Sequence, residues 1–94
     1  MMLATVLLGF AGGMCAGNAI PHFVRGITKQ RYPNIWGGGP IPNVLAGWGG
    51  LVLAALLLHN AFDGPSTAWA FGAMSAGVLV IGLFHAGPGA FGRR

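Results

Sequence analysis

A chain of 94 residues in which 54% of side chains are hydrophobic and only 6% are charged is not an ordinary water-soluble globule, where about a quarter of residues carry charge. Disorder is excluded too, because it requires low hydrophobicity and high charge. The net charge of +4 rests on five Lys and Arg against one acidic residue, Asp63; these charges are too few for nucleic-acid binding, and the lone Cys15 rules out an internal disulfide framework or a cysteine-based metal cluster.

A spanning helix takes about 20 mostly apolar residues, at 1.5 Å of rise each across a hydrocarbon core of roughly 30 Å. The first candidate is residues 1–20, with no ionisable side chain but the Cys15 thiol. It lacks the basic leader of a secretory signal. Gly12, Gly13 and Met14 before Cys15 do not form a lipobox, so a mature helix is expected. Residues 21–42 form a loop holding four of the six prolines and three of the five basic residues. Within it, Phe23, Val24 and Ile27 make an apolar side and Arg25, Lys29 and Gln30 a polar one, which predicts a short interfacial helix opening at Pro21. The Gly37-Gly38-Gly39 tract lacks the Lys and Ser/Thr of a phosphate-binding loop and reads as a hinge or a point of close approach. The second span is 43–62, interrupted only by His59, and the turn Asp63-Gly64-Pro65-Ser66 leads to the third, 67–84. Four residues join only antiparallel neighbours, so the second and third helices are expected to form a hairpin, with Ser66 or Thr67 capping the third. The expected fold is all-α: a single three-helix membrane domain over residues 1–94.

Basic residues stay preferentially on the cytoplasmic side. Arg25, Lys29 and Arg31 in the loop and Arg93 and Arg94 at the end of the chain fall on one side after three crossings. This predicts an outer N-terminus, an inner loop and C-terminus, and an outer Asp63. Trp36 and Trp48 are expected near the inner interface and Trp69 near the outer one, with the loop cations drawn to anionic lipid by about 1 kcal/mol each.

Small residues recur every four positions at Gly9, Gly13 and Gly17, at Ala46, Gly50 and Ala54, and at Ala68, Gly72 and Ala76. Residues four apart share a helix face, and small faces let helices associate closely in lipid. Three short helices leave most of their surface to lipid or a partner, so a homo-oligomer or membership of a larger complex is expected.

Ionisable residues inside a membrane are functional candidates. Asn18, His22 and Arg25 share a face if the first helix continues through Pro21, which has no N–H to give the Gly17 carbonyl. His85 ends the third span on the same side. Neutral imidazoles on two helices suit a haem iron or another metal; the alternative is two interfacial rings meeting water and headgroups. His59 and Asp63, four apart at the outer end of the second helix, suggest a proton-responsive element, or else a polar cluster with Asn60 that satisfies the last carbonyls. Helix rise separates the His59 group from His22 and His85 by roughly 25 to 30 Å. The absence of Glu, the single Asp and two serines without His/Asp partners leave no enzyme signature.

The run Gly17-Asn18-Ala19-Ile20-Pro21-His22-Phe23-Val24-Arg25-Gly26-Ile27, with Pro42-Asn43-Val44-Leu45-Ala46-Gly47-Trp48 after the loop, resembles small bacterial inner-membrane proteins of uncharacterised activity. They carry Pro-His-Phe-x-x-Gly before a loop and Asn-Val-x-x-Gly at a helix start. The resemblance covers about a third of the chain and implies a bacterial inner membrane, without an activity. The expected role is a non-catalytic packing or accessory subunit with the bilayer and other membrane helices as partners. An oligomeric transporter or channel for small solutes or ions is the alternative, and a haem-binding subunit the third reading.

Overall fold

The computed structural model describes residues 2–87, so Arg93 and Arg94 lie outside the described residues. Three helices make up the described fold: α1, Met2–Ile27; α2, Pro40–Phe62; and α3, Thr67–Ala86. No strand occurs among the described residues. All three helices are long and apolar enough to cross a membrane.

The prediction of a separate interfacial helix opening at Pro21 is corrected, because α1 runs straight through Pro21 to Ile27. Proline in a helix interior removes one hydrogen bond, and packing on α2 offsets that loss. Beyond Pro21, the backbone of Phe23 lies so close to Gly47 that a β-carbon there would sit 2.6 Å from the Phe23 nitrogen, and one on Gly26 would meet the Val44 nitrogen at 2.6 Å. The helix ends when Lys29 turns left-handed, at φ 61°, and the Gln30 N–H bonds back to the Arg25 carbonyl at 2.8 Å, a Schellman closure. The loop therefore shrinks to residues 28–39.

α2 opens with Pro40 in its first turn, where the missing N–H has no helical partner to lose. It ends with the Asp63 N–H on the His59 carbonyl at 3.1 Å. Ser66 caps α3 as expected, its hydroxyl accepting from the Trp69 N–H at 3.1 Å.

The packing order differs from the expected hairpin. α1 lies in the middle, flanked by α2 and α3, which scarcely touch each other. The physical reason is on α1, which carries two small faces. Gly9, Gly13 and Gly17 lie against α3: a β-carbon at Gly9 would be 2.9 Å from the Ala70 carbonyl, one at Gly13 would collide with the Met74 carbonyl, and one at Gly17 would be 2.5 Å from Ile81. Gly12, Ala19 and Gly26 lie against α2, facing Leu58, Gly50 and Val44 in turn. At 100° per residue the two faces point about 120° apart, so each neighbour takes one. Contacts with α3 ascend in both helices and those with α2 descend. α1 and α3 are thus parallel, and α2 runs against them.

On α2, Gly50 meets Ala19 and Ala54 is buried, alongside Gly47 and Ala61. The spacings Gly12-Ala19-Gly26 and Gly47-Ala54-Ala61 are seven residues, the period of a helix–helix seam. On α3 the inward face is Ala70, Met74 and Gly77; a β-carbon at Gly77 would collide with the Phe10 carbonyl. Ala68, Gly72 and Ala76 point outward and are exposed, and nothing among the described residues lies within 4 Å of a β-carbon at Gly72. Only 28%, 17% and 11% of the most apolar stretches of α1, α2 and α3 are buried, which leaves most of their apolar surface uncovered by the described residues.

Candidate functional site

The polar centre of the molecule lies at the end where α1 stops and α2 begins. Asn43, in the first turn of α2, is completely buried. Its side-chain nitrogen donates to the carbonyls of Tyr32 at 3.0 Å, Gly38 at 3.2 Å and Gly39 at 2.9 Å. Two hydrogens thus serve three carbonyls, one of them shared. Only the amide nitrogen can donate to carbonyls, so Oδ1 is left to accept, and His22 Nδ1 donates to it at 2.6 Å. In the neutral ring Nε2 is then the lone-pair nitrogen. One side chain thereby ties α1 to α2 and stitches both to the loop.

The glycine tract is the loop's point of close approach. Gly37 has φ 119°, a conformation that L side chains rarely adopt, and its N–H closes a turn on the Asn34 carbonyl at 3.0 Å. The Gly38 carbonyl accepts from the Tyr32 N–H at 3.0 Å. This places the Tyr32 ring between the histidines, edge-on to His22 at 5.1 Å and tilted to His85 at 6.5 Å. The Arg25 guanidinium lies 5.4 Å from the ring centre, a cation–π contact. The Tyr32 hydroxyl meets His85 Nδ1 at 3.4 Å, and His85 Nε2 donates to Asn18 Oδ1 at 2.9 Å. A chain of polar contacts thus runs Asn18–His85–Tyr32 across α1, α3 and the loop.

Asn18, His22 and His85 are brought together here, and Arg25 joins them through Tyr32. Both ring nitrogens of His85 are engaged, so His22 and His85 present no pair of vacant imidazole nitrogens to one iron. Among the described residues no group of three or more His, Cys, Asp or Glu stands together. His59 and Asp63 lie at the other end of α2, roughly 24 and 30 Å from Asn43 by helix rise. Both are exposed. No hydrogen bond or ion pair joins their side chains among the described residues, while Asn60 donates to the Leu56 carbonyl at 2.9 Å. Lys29, Arg31, Trp36, Trp48 and Trp69 are exposed and Arg25 is half-buried.

Beside the polar chain opens a cleft of about 820 Å³. Cys15, Asn18 and His22 line it from one stripe of α1, and Leu45, Gly49 and Leu53 from α2. Asn43 and Tyr32 are the residues that sequence reasoning passed over. The available signal was an amide in the opening turn of an apolar span, directly after prolines and a glycine tract whose carbonyls need donors. No protein-family model, curated protein or solved structure matches this chain.

Proposed function

We propose that this chain is a non-catalytic packing or accessory subunit of a membrane assembly, joined to further copies or to a larger complex through the outer face of α3. The observation that carries this reading is the fate of the small-residue faces. Gly9, Gly13 and Gly17 of α1 are taken up within the chain by α3, Gly50 of α2 packs on α1, and Ala54 of α2 is buried. Ala68, Gly72 and Ala76 have no such partner among the described residues. A shallow depression of about 350 Å³, bordered by Val6, Ala68, Gly72 and Ala73, lies on this side. Glycine in a helix costs about 1 kcal/mol relative to alanine, and in lipid the close approach of a second helix compensates.

The orientation follows from the charges. The 28–39 loop, with Arg25, Lys29 and Arg31 around it, faces the cytoplasm of a bacterial inner membrane, and Asp63 faces outward. Native sizing after mild extraction tests the proposal. The wild-type chain runs as an assembly, and Gly72→Leu reduces it to the 9.6 kDa monomer without lowering the melting temperature. Unchanged sizing of Gly72→Leu, or a wild-type chain that extracts as a monomer with nothing bound, contradicts it.

A further inference from the structure

The cleft beside Asn18 and His22 is not used by helix packing, and its lining has a definite chemical character. One end is polar, with Asn18, His22, Tyr32 and His85; the walls are apolar, with Leu45, Leu53 and Phe84 among them. No Lys, Arg, Asp or Glu lines it. The nearby Arg25 is turned onto the Tyr32 ring and toward Gln30, to which it donates at 3.2 Å. A charged headgroup would therefore meet no charged partner in the lining, and a charge taken out of water without one is costly.

The hydrogen bonds already made define what remains. His22 Nδ1 is held by Asn43, so Nε2 is an acceptor without a partner among the described residues. Asn18 Oδ1 is held by His85, so its amide nitrogen has two donors to offer. Asn18 and His22 are one turn apart on one face of α1, about 5–6 Å between β-carbons. The site thus offers an acceptor and a donor side by side at the mouth of an apolar trough. Its volume lies within the range of ligand pockets, about 300–1,000 Å³.

We infer that this cleft binds an uncharged single-chain amphiphile whose head carries a hydroxyl and a carbonyl oxygen. The hydroxyl donates to His22 Nε2, the carbonyl accepts from the Asn18 amide, and the hydrocarbon chain lies along Leu45, Gly49 and Leu53. A monoacylglycerol carries both groups; in a prenylated benzoquinol one phenolic hydroxyl donates and the second phenolic oxygen takes the place of the carbonyl as acceptor.

Quenching of tryptophan fluorescence by chain-brominated probes tests the site in the purified full chain, with Trp48→Phe and Trp69→Phe leaving Trp36, at the cleft rim, as reporter. Three probes are titrated: a monoacylglycerol, a prenyl benzoquinol and an alkyl phosphate. Saturable quenching is expected from one or both neutral probes, and whichever binds names the source; the phosphate is expected to bind more weakly by at least about tenfold. Gly49→Leu fills the trough, and nothing lies within 4 Å of a β-carbon at Gly49, so the fold tolerates it. It is expected to weaken neutral binding at least about tenfold with no loss of melting temperature. Asn18→Leu removes the donor and is expected to weaken it by about tenfold. No saturable quenching by either neutral probe, equal binding of the phosphate, or unchanged binding by Gly49→Leu overturns the inference.

Discussion

Asn43→Ala removes the side chain on which the loop end of the molecule depends. The Gly38 carbonyl keeps the Tyr32 N–H at 3.0 Å and the Gly39 carbonyl keeps the Asn43 backbone N–H at 3.3 Å, so each loses one of two partners, at about 0.5–1 kcal/mol. The Tyr32 carbonyl and the His22 Nδ1–H each lose the Asn43 side chain as partner, and a buried polar group left unsatisfied costs about 1–3 kcal/mol. Together these give a loss of about 3–8 kcal/mol, a large part of the 5–15 kcal/mol typical of a folded domain. Asn43→Asp keeps the shape but turns the donor toward the three carbonyls into an acceptor, and it is expected to lose at least as much near neutral pH. The assay is reversible unfolding in mixed micelles, followed by helical circular dichroism and by Trp36 fluorescence, which reports the loop. A loss under about 1 kcal/mol for Asn43→Ala, the worth of a single ordinary hydrogen bond, would refute the assignment of Asn43 as the buried tie.

Three further outcomes are expected. Gly77→Val drives a side chain into the Phe10 carbonyl and is expected to cost about 1–3 kcal/mol by overpacking, measured in the same titration; a neutral result would show that α1 and α3 are not in backbone contact there. Ser66→Ala removes the cap on the Trp69 N–H and is expected to cost about 1 kcal/mol, read as a lower melting temperature. Lys29→Gly relieves a left-handed residue and is expected to raise stability by on the order of 1 kcal/mol; a loss would mean that the Lys29 side chain itself holds the turn.

Much of the fold was legible because bilayer thickness restricts helix length so strongly. Three apolar stretches, the Asp63–Ser66 turn and the Ser66 cap can be read from composition and spacing alone. The extent of α1 was not legible, since Pro21 reads locally as an opening, and only the distant packing of Phe23 and Gly26 on α2 holds the helix through it. The small faces were half legible. Spacing of four finds Gly9, Gly13 and Gly17, yet on α3 it selects Ala68, Gly72 and Ala76, one face away from Ala70, Met74 and Gly77. A period marks a stripe without saying which neighbour meets it, and the seven-residue spacings that mark the α1–α2 seam escape a search for fours. At the site, Asn18, His22 and His85 stood out as ionisable or amide groups at matching depth. Asn43 and Tyr32 became visible only when the loop brought its carbonyls and ring to them.

We propose that α1 satisfies its neighbours within the chain and that the Ala68–Gly72–Ala76 face of α3 meets a second chain. Single cysteines introduced in a Cys15→Ser background and cross-linked in native membranes test it most directly. Gly72→Cys is expected to give an intermolecular adduct in high yield, while Leu51→Cys on the exposed side of α2 gives little. Absence of an adduct at position 72, or an equal yield at position 51, would contradict the account.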